Sequence, residues 1–112
     1  MSFTVKNIVD DVRPLISDTD QPYRWTDPQI VVRVNDAVQH TFSRRPDAAS
    51  SATLDGPEDL ESMYDEVPLR RQFRSALIYY TGAVLLQDRS SDKSLRSKGA
   101  EFMKLFNALI GA

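Results

Sequence analysis

Between Leu69 and Gln87 the chain carries apolar residues around almost the whole circumference of a helix, and this limits its fold more than any other feature. Leu69, Phe73, Ala76, Leu77, Tyr80, Ala83 and Val84 form one face, while Ile78, Tyr79, Leu85 and Leu86 cover much of the rest. Such a helix has to be surrounded on several sides to escape water. The other segments must therefore supply elements that pack around it. In a bundle this small, one of its sides is left open to another chain.

Three further segments have helical periodicity. From about Thr4 to Ile16, the residues Val5, Ile8, Val9, Val12 and Ile16 make an apolar stripe, with Lys6, Asp10, Asp11 and Arg13 on the other side. Pro14 bends or ends this helix in its last turn, and 17–22 is turn chemistry. Thr26 and Gln29 form a capping box, with Pro28 tolerated in the first turn. The helix they open buries Ile30, Val31, Val34, Ala37, Val38 and Phe42, leaves Val32 and His40 off that face, and ends before Pro46. The last helix places Leu95, Phe102, Met103, Phe106, Leu109 and Ile110 on one face. Gly99 on that face permits close approach, and Gly111 suits a C-cap. No β alternation of useful length and no internal repeat appears. The expected architecture is a single all-α domain spanning 1–112, a four-helix bundle with helices at about 4–16, 27–44, 69–87 and 93–110.

Between the second and third helices, 46–68 forms a long acidic loop. Asp47, Asp55, Glu58, Asp59, Glu61, Asp65 and Glu66 have no cation among them, and Leu54, Leu60, Met63, Tyr64 and Val67 are the sizeable apolar anchors. A loop this long in a small domain is usually functional. It leaves room for a helical turn near Glu58–Tyr64 or a two-stranded excursion.

At 112 residues the chain suits one domain, and its net charge of −2 gives no basic excess for a dedicated nucleic-acid binder. The absence of cysteine excludes disulfides, thiolate metal sites and thiol nucleophiles. No signal peptide and no membrane-spanning run is readable, so a soluble protein made inside the cell is expected.

Catalytic groups do not converge in the sequence, and no enzyme and no cofactor is expected. His40 is the one histidine and falls on the solvent side of its helix without a partner pattern. Ser17-Asp18 and Ser90-Ser91-Asp92 are explained by capping. Asp55, Glu58, Asp59 and Glu61 are close enough in sequence to chelate a hard cation, but the ligand ladder of a calcium-binding loop is missing, which favours a solvated loop. The glycines are isolated, with no phosphate-cradling run. Arg44 and Arg45 make one basic patch, and Arg70, Arg71 and Arg74 make another. Pairing with carboxylates, within or between subunits, is favoured over phosphate contact. Tyr79-Tyr80 suits core or interface packing better than base stacking. Tyr23-Arg24-Trp25 is either a hydrophobic staple before the Thr26 cap or an interface anchor, and the sequence leaves both open.

One resemblance covers nearly the whole chain. Val5-Lys6-Asn7-Ile8-Val9 leads into Val12-Arg13-Pro14-Leu15-Ile16-Ser17-Asp18, followed by Arg24-Trp25-Thr26-Asp27. Then come Val34-Asn35-Asp36-Ala37-Val38, Arg44-Arg45-Pro46-Asp47-Ala48, the helix with Ala76-Leu77 and Tyr79-Tyr80, and the terminal Phe102–Phe106 helix. This pattern resembles the head-to-tail adaptor (connector, head-completion) proteins of tailed bacteriophages. The resemblance implies a structural virion protein at the neck or portal vertex, made in the host cytoplasm. It implies a homo-oligomeric ring, typically a dodecamer, beneath the portal protein, extending the channel for genomic DNA without sequence-specific binding and without a membrane. The ring docks a neck or tail-completion protein. Several such adaptors carry a C-terminal arm that enters the portal, whereas here Ala112 follows closely on the last helix, which leaves the portal-binding surface open.

On this view Tyr23, Arg24, Trp25, Asp55, Glu58, Asp59, Glu61, Arg70, Arg71, Arg74, Ile78 and Tyr79 are the interface candidates, and the Asp47–Val67 loop projects towards a neighbour, the lumen or the next ring. An acidic lining would let DNA pass without sticking. A small helical regulatory or DNA-binding module using the arginines, and an enzyme subunit whose chemistry lies on a partner, are the alternatives.

Overall fold

The computed structural model describes residues 3–19, 24–48, 59–89 and 93–111. Among these, four α-helices form an all-α bundle: α1 (Val5–Leu15), α2 (Asp27–Arg44), α3 (Arg74–Arg89) and α4 (Lys93–Ile110). Short 3₁₀ turns occupy Pro46–Ala48 and Arg71–Phe73. α3 is the central element, packing on α4, α2 and α1.

The local signals act as the sequence predicts. α1 opens on Thr4, whose hydroxyl accepts from the Asn7 amide while Asn7 Oδ1 accepts from the Thr4 amide at 2.9 Å. α2 opens on the Thr26–Gln29 capping box, with the Thr26 amide donating to Gln29 Oε1 at 2.8 Å. Val5, Ile8, Val9, Val12, Ile16, Ile30, Val34 and Val38 are all buried in the common core. Gly99 lets α4 approach α3, since a Cβ there would stand 3.1 Å from the Ala83 carbonyl oxygen and 3.3 Å from Leu86 Cβ. Gly111 takes the left-handed conformation, φ 69°, that a C-cap asks for.

Several expectations need correction. Arg13 lies among the buried residues, not on the solvent side of α1. On α2, Thr41 takes the fully buried place and Phe42 is half-buried. Leu109 is 50% exposed and does not join the buried face of α4. α3 starts at Arg74 instead of about residue 69, because the chain before it is held extended: Arg70 has φ −64°, ψ 145° and its amide donates to the Ala48 carbonyl at 2.7 Å. That contact also ties together the two ends of the long loop. The side of α3 expected to be free for another chain is largely filled from within, since Leu85 and Leu86 are buried and Ile78 and Tyr79 are half-buried against the core.

The loop is docked rather than projecting wherever it is described. Residues 59–67 run back along the start of α1: the amides of Val5 and Lys6 donate to the carbonyls of Asp65 and Met63 at 3.0 and 2.8 Å. The Val67 amide donates to the Phe3 carbonyl at 2.8 Å, and Thr4 and Glu66 form an antiparallel bridge. This supplies acceptors for amides that a helix N-terminus otherwise leaves unmatched. Leu60 and Val67 anchor the segment in the core, whereas Tyr64, expected as an anchor, is 81% exposed.

Candidate functional site

The residues that carry the sequence pattern at the α1–α2 junction come together in one corner. α1 ends where Ser17 takes φ 58°, a left-handed backbone uncommon for serine, and the Asp18 amide reaches back to the Arg13 carbonyl at 2.9 Å. This turns the Asp18 carboxylate onto the chain entering α2. Its oxygens accept from the Arg24 amide at 2.8 Å and the Trp25 amide at 3.3 Å. Arg13 Nη1 donates to the same carboxylate at 2.9 Å and to the Trp25 carbonyl at 3.1 Å, while Nη2 donates to Asp27 Oδ1 at 2.5 Å. Arg13 and Asp18 are 7% and 3% exposed, so a buried ion pair fastens the end of α1 to the start of α2.

Trp25 is 3% exposed and packs in the chain's own core. Arg24 is exposed, with its backbone held by Asp18. Tyr23, Asp55 and Glu58 lie outside the described residues. Asp59 accepts from Asn35 Nδ2 at 3.3 Å, Asn35 Oδ1 in turn accepts from the Leu60 amide at 2.9 Å, and Glu61 is exposed. No group of three or more His, Asp or Glu side chains suited to a metal ion occurs among the described residues.

The arginines mostly find partners inside the chain. Arg74 donates to Asp11 at 2.6 Å and lies over the Phe3 ring. Arg45 grips Asp47 through two bonds of 2.9 Å and caps α4 by donating to the Ile110 carbonyl at 2.8 Å. Its guanidinium holds the Asp47 carboxyl below the ordinary carboxylate range. Arg44 donates to Asn107 Oδ1 at 2.6 Å. Pairing with carboxylates was expected: Asp47, at the start of the loop, takes Arg45, and Asp11 on α1 takes Arg74. Arg70 and Arg71 are exposed at the approach to α3.

His40 has ring neighbours that the sequence did not suggest, stacking on Tyr80 at 5.1 Å and meeting Phe106 at 5.6 Å. Partial burial, then the nearby Arg44 charge, lower its pKa. Tyr79 packs against Phe102 at 5.8 Å, so both tyrosines of the pair serve inter-helix packing.

The second feature that sequence reasoning missed is the turn carrying Tyr64. Asp65 Oδ2 accepts from the Glu61 and Ser62 amides at 2.9 and 3.0 Å, and Ser62 Oγ accepts from the Tyr64 amide at 3.1 Å. Those two amide bonds hold the Asp65 carboxyl below its usual range. None of the described helices is long and apolar enough to cross a membrane. No protein family, curated protein or solved structure matches the chain.

Proposed function

We propose that this chain is a structural assembly protein of the head-to-tail adaptor kind, acting without catalysis as one subunit of a ring beneath a phage portal. The observation that carries the reading is the corner itself. Arg13, Asp18, Arg24, Trp25 and Asp27 belong to the stretches that give the sequence its resemblance to adaptors, and they lock α1 to α2, while Thr26 caps α2. A motif spent on a buried junction specifies a shape, which suits a protein whose work is to fit neighbours. The ring would extend the channel through which genomic DNA leaves and would offer its far side to a neck or tail-completion protein, placing the chain at the virion neck.

The DNA-binding alternative loses ground because Arg44, Arg45 and Arg74 are engaged by Asn107, Asp47 and Asp11. Imaging portal-bearing, DNA-filled heads by cryo-EM after adding the purified protein tests the proposal. Ring-shaped density below the portal is the expected result. A bare vertex, together with salt-dependent retardation of duplex DNA by the protein alone, would overturn it.

A further inference from the structure

Tyr64 is held out to solvent by a turn that is itself tightly tied down. The bonds from the Glu61, Ser62 and Tyr64 amides close the turn, and those from Val5 and Lys6 fasten it to the first turn of α1. A large aromatic ring 81% exposed on a braced turn gains nothing for the fold of its own chain. It does offer contact area that loses little conformational entropy on binding, which is why tyrosine is enriched at binding hot spots. Its own segment is anionic in sequence: Asp59, Glu61, Asp65 and Glu66 carry its charge with no cation between them, and the nearby cation Lys6, on α1, is paired with Asp10.

α4 offers the complementary surface. Leu105 and Leu109, one turn apart, are 44% and 50% exposed. Lys98 leads the same stripe, seven residues before Leu105 on the helix, and Lys104 adjoins it. The helix as a whole carries the cations Lys93, Arg96, Lys98 and Lys104 against the single anion Glu101, which lies on the stripe between Lys98 and Leu105. The exposure of Tyr64, Leu105 and Leu109 means that the acidic turn and the basic apolar stripe do not cover one another within the chain.

We infer that they meet between chains, the Tyr64 turn of one copy seating on the Lys98–Leu105–Leu109 stripe of the next. Tyr64 lies on the leucine pair while Glu61 and Glu66 face Lys98 and Lys104. Because the two surfaces differ, the contact is heterologous and repeats from copy to copy. The choice of a second copy as occupant rests on charge complementarity and on the assembly role proposed above.

Sedimentation velocity of the full chain at low and at physiological salt tests the inference, with two variants made on exposed positions. One carries Tyr64→Ala and Glu66→Lys; the other carries Leu105→Ser and Leu109→Ser. The wild type should grow beyond the dimer with rising concentration and shrink with added salt. Each variant alone should associate about thirty-fold more weakly or worse. An equimolar mixture should recover a dimer, because each variant keeps one intact surface. A wild type that stays monomeric or stops at the dimer, or a mixture that stays monomeric, overturns the inference. Circular dichroism matching the wild type confirms that neither variant acts through misfolding. Imaging at the portal vertex separates the two claims: ring density formed equally well by the Tyr64 variant keeps the adaptor role and removes this interface. Self-association with a bare vertex does the reverse.

Discussion

Replacing Arg13 with methionine keeps most of the apolar stem of the side chain but leaves Asp18, 3% exposed, without its guanidinium. Breaking a buried pair by removing one partner typically costs about 3–5 kcal/mol, because the remaining charge cannot be solvated. Asp18 still accepts from the Arg24 and Trp25 amides, so the lower end, about 3 kcal/mol, applies. A domain of this kind has about 5–15 kcal/mol of stability in all, so the variant folds but with a much reduced margin. With a urea m-value of about 1.5 kcal/mol/M, the midpoint falls by about 2 M. Trp25 is the one tryptophan, and its carbonyl is an Arg13 acceptor, so its fluorescence reads the corner while far-UV circular dichroism reads the helices. Lys6→Met is the matched control. Lys6 and Asp10 sit at the same 2.9 Å separation as Arg13 Nη1 and Asp18, but with both side chains more than half exposed. That change should leave the midpoint almost unmoved, because water and salt screen an exposed pair. If Arg13→Met loses less than about 1 kcal/mol, the pair behaves as a solvent-screened one and the corner is not what fastens α1 to α2.

Other substitutions probe other parts of the molecule. Gly99→Leu forces α4 away from the Ala83 carbonyl and Leu86, and should cost about 3 kcal/mol or more in denaturant melts. Gly99→Ala should cost less, because better helix propensity offsets part of the crowding. Thr41 Oγ1 is buried and has no hydrogen-bond partner among the described residues, so Thr41→Val should stabilise by roughly 1 kcal/mol; a loss would mean that the hydroxyl is satisfied. His40, stacked on Tyr80 near Arg44, has a folded-state pKa below its unfolded value, so the unfolded chain takes up the proton first. Stability should therefore be level at neutral pH and fall as the pH drops through about 6.5, with His40→Gln flattening that slope in melts across the range. Asp47 and Asp65 are shifted the other way relative to their charged forms. Their contributions are present above the ordinary carboxylate range and are lost only at lower pH, which keeps the two windows apart.

The parts of the fold that were legible in the sequence are those decided within a few residues. Thr26 and Gln29 are three apart, so their reciprocal caps fix the start of α2 whatever the rest of the chain does. The apolar period places the cores of all four helices, and Gly99 announces a close approach because no side chain competes for the space. The start of α3 was not legible, because the Pro68-Leu69-Arg70 segment satisfies the local rules for a helix start. What holds it extended is the distant Ala48 carbonyl. Leu109 was misplaced for a similar reason: it lies at the edge of its stripe, where period alone does not say how far the neighbouring helix reaches.

The corner shows why the candidate site was harder to read than the fold. Amphipathic patterning sends a charged residue outward, and Arg13 follows that rule until Asp18 and Asp27 are brought to it from beyond the turn. One arginine can satisfy both carboxylates and the Trp25 carbonyl only because its donors are spread over a planar fork, something lysine lacks. A usable signal was present: a lone arginine beside an apolar stripe, with unpaired aspartates at the end of the same turn and at the start of the next helix. Tyr64 is the opposite case, an aromatic residue that composition sends inward and that the Asp65 and Ser62 side chains hold outward. Both residues break the burial rule because hydrogen bonds decide their placement against hydrophobicity, non-local side-chain bonds for Arg13 and bonds within one turn for Tyr64. For Arg13 the outcome is a closed junction. For Tyr64 it is an uncovered aromatic surface, the one on which the proposed contact between copies is built.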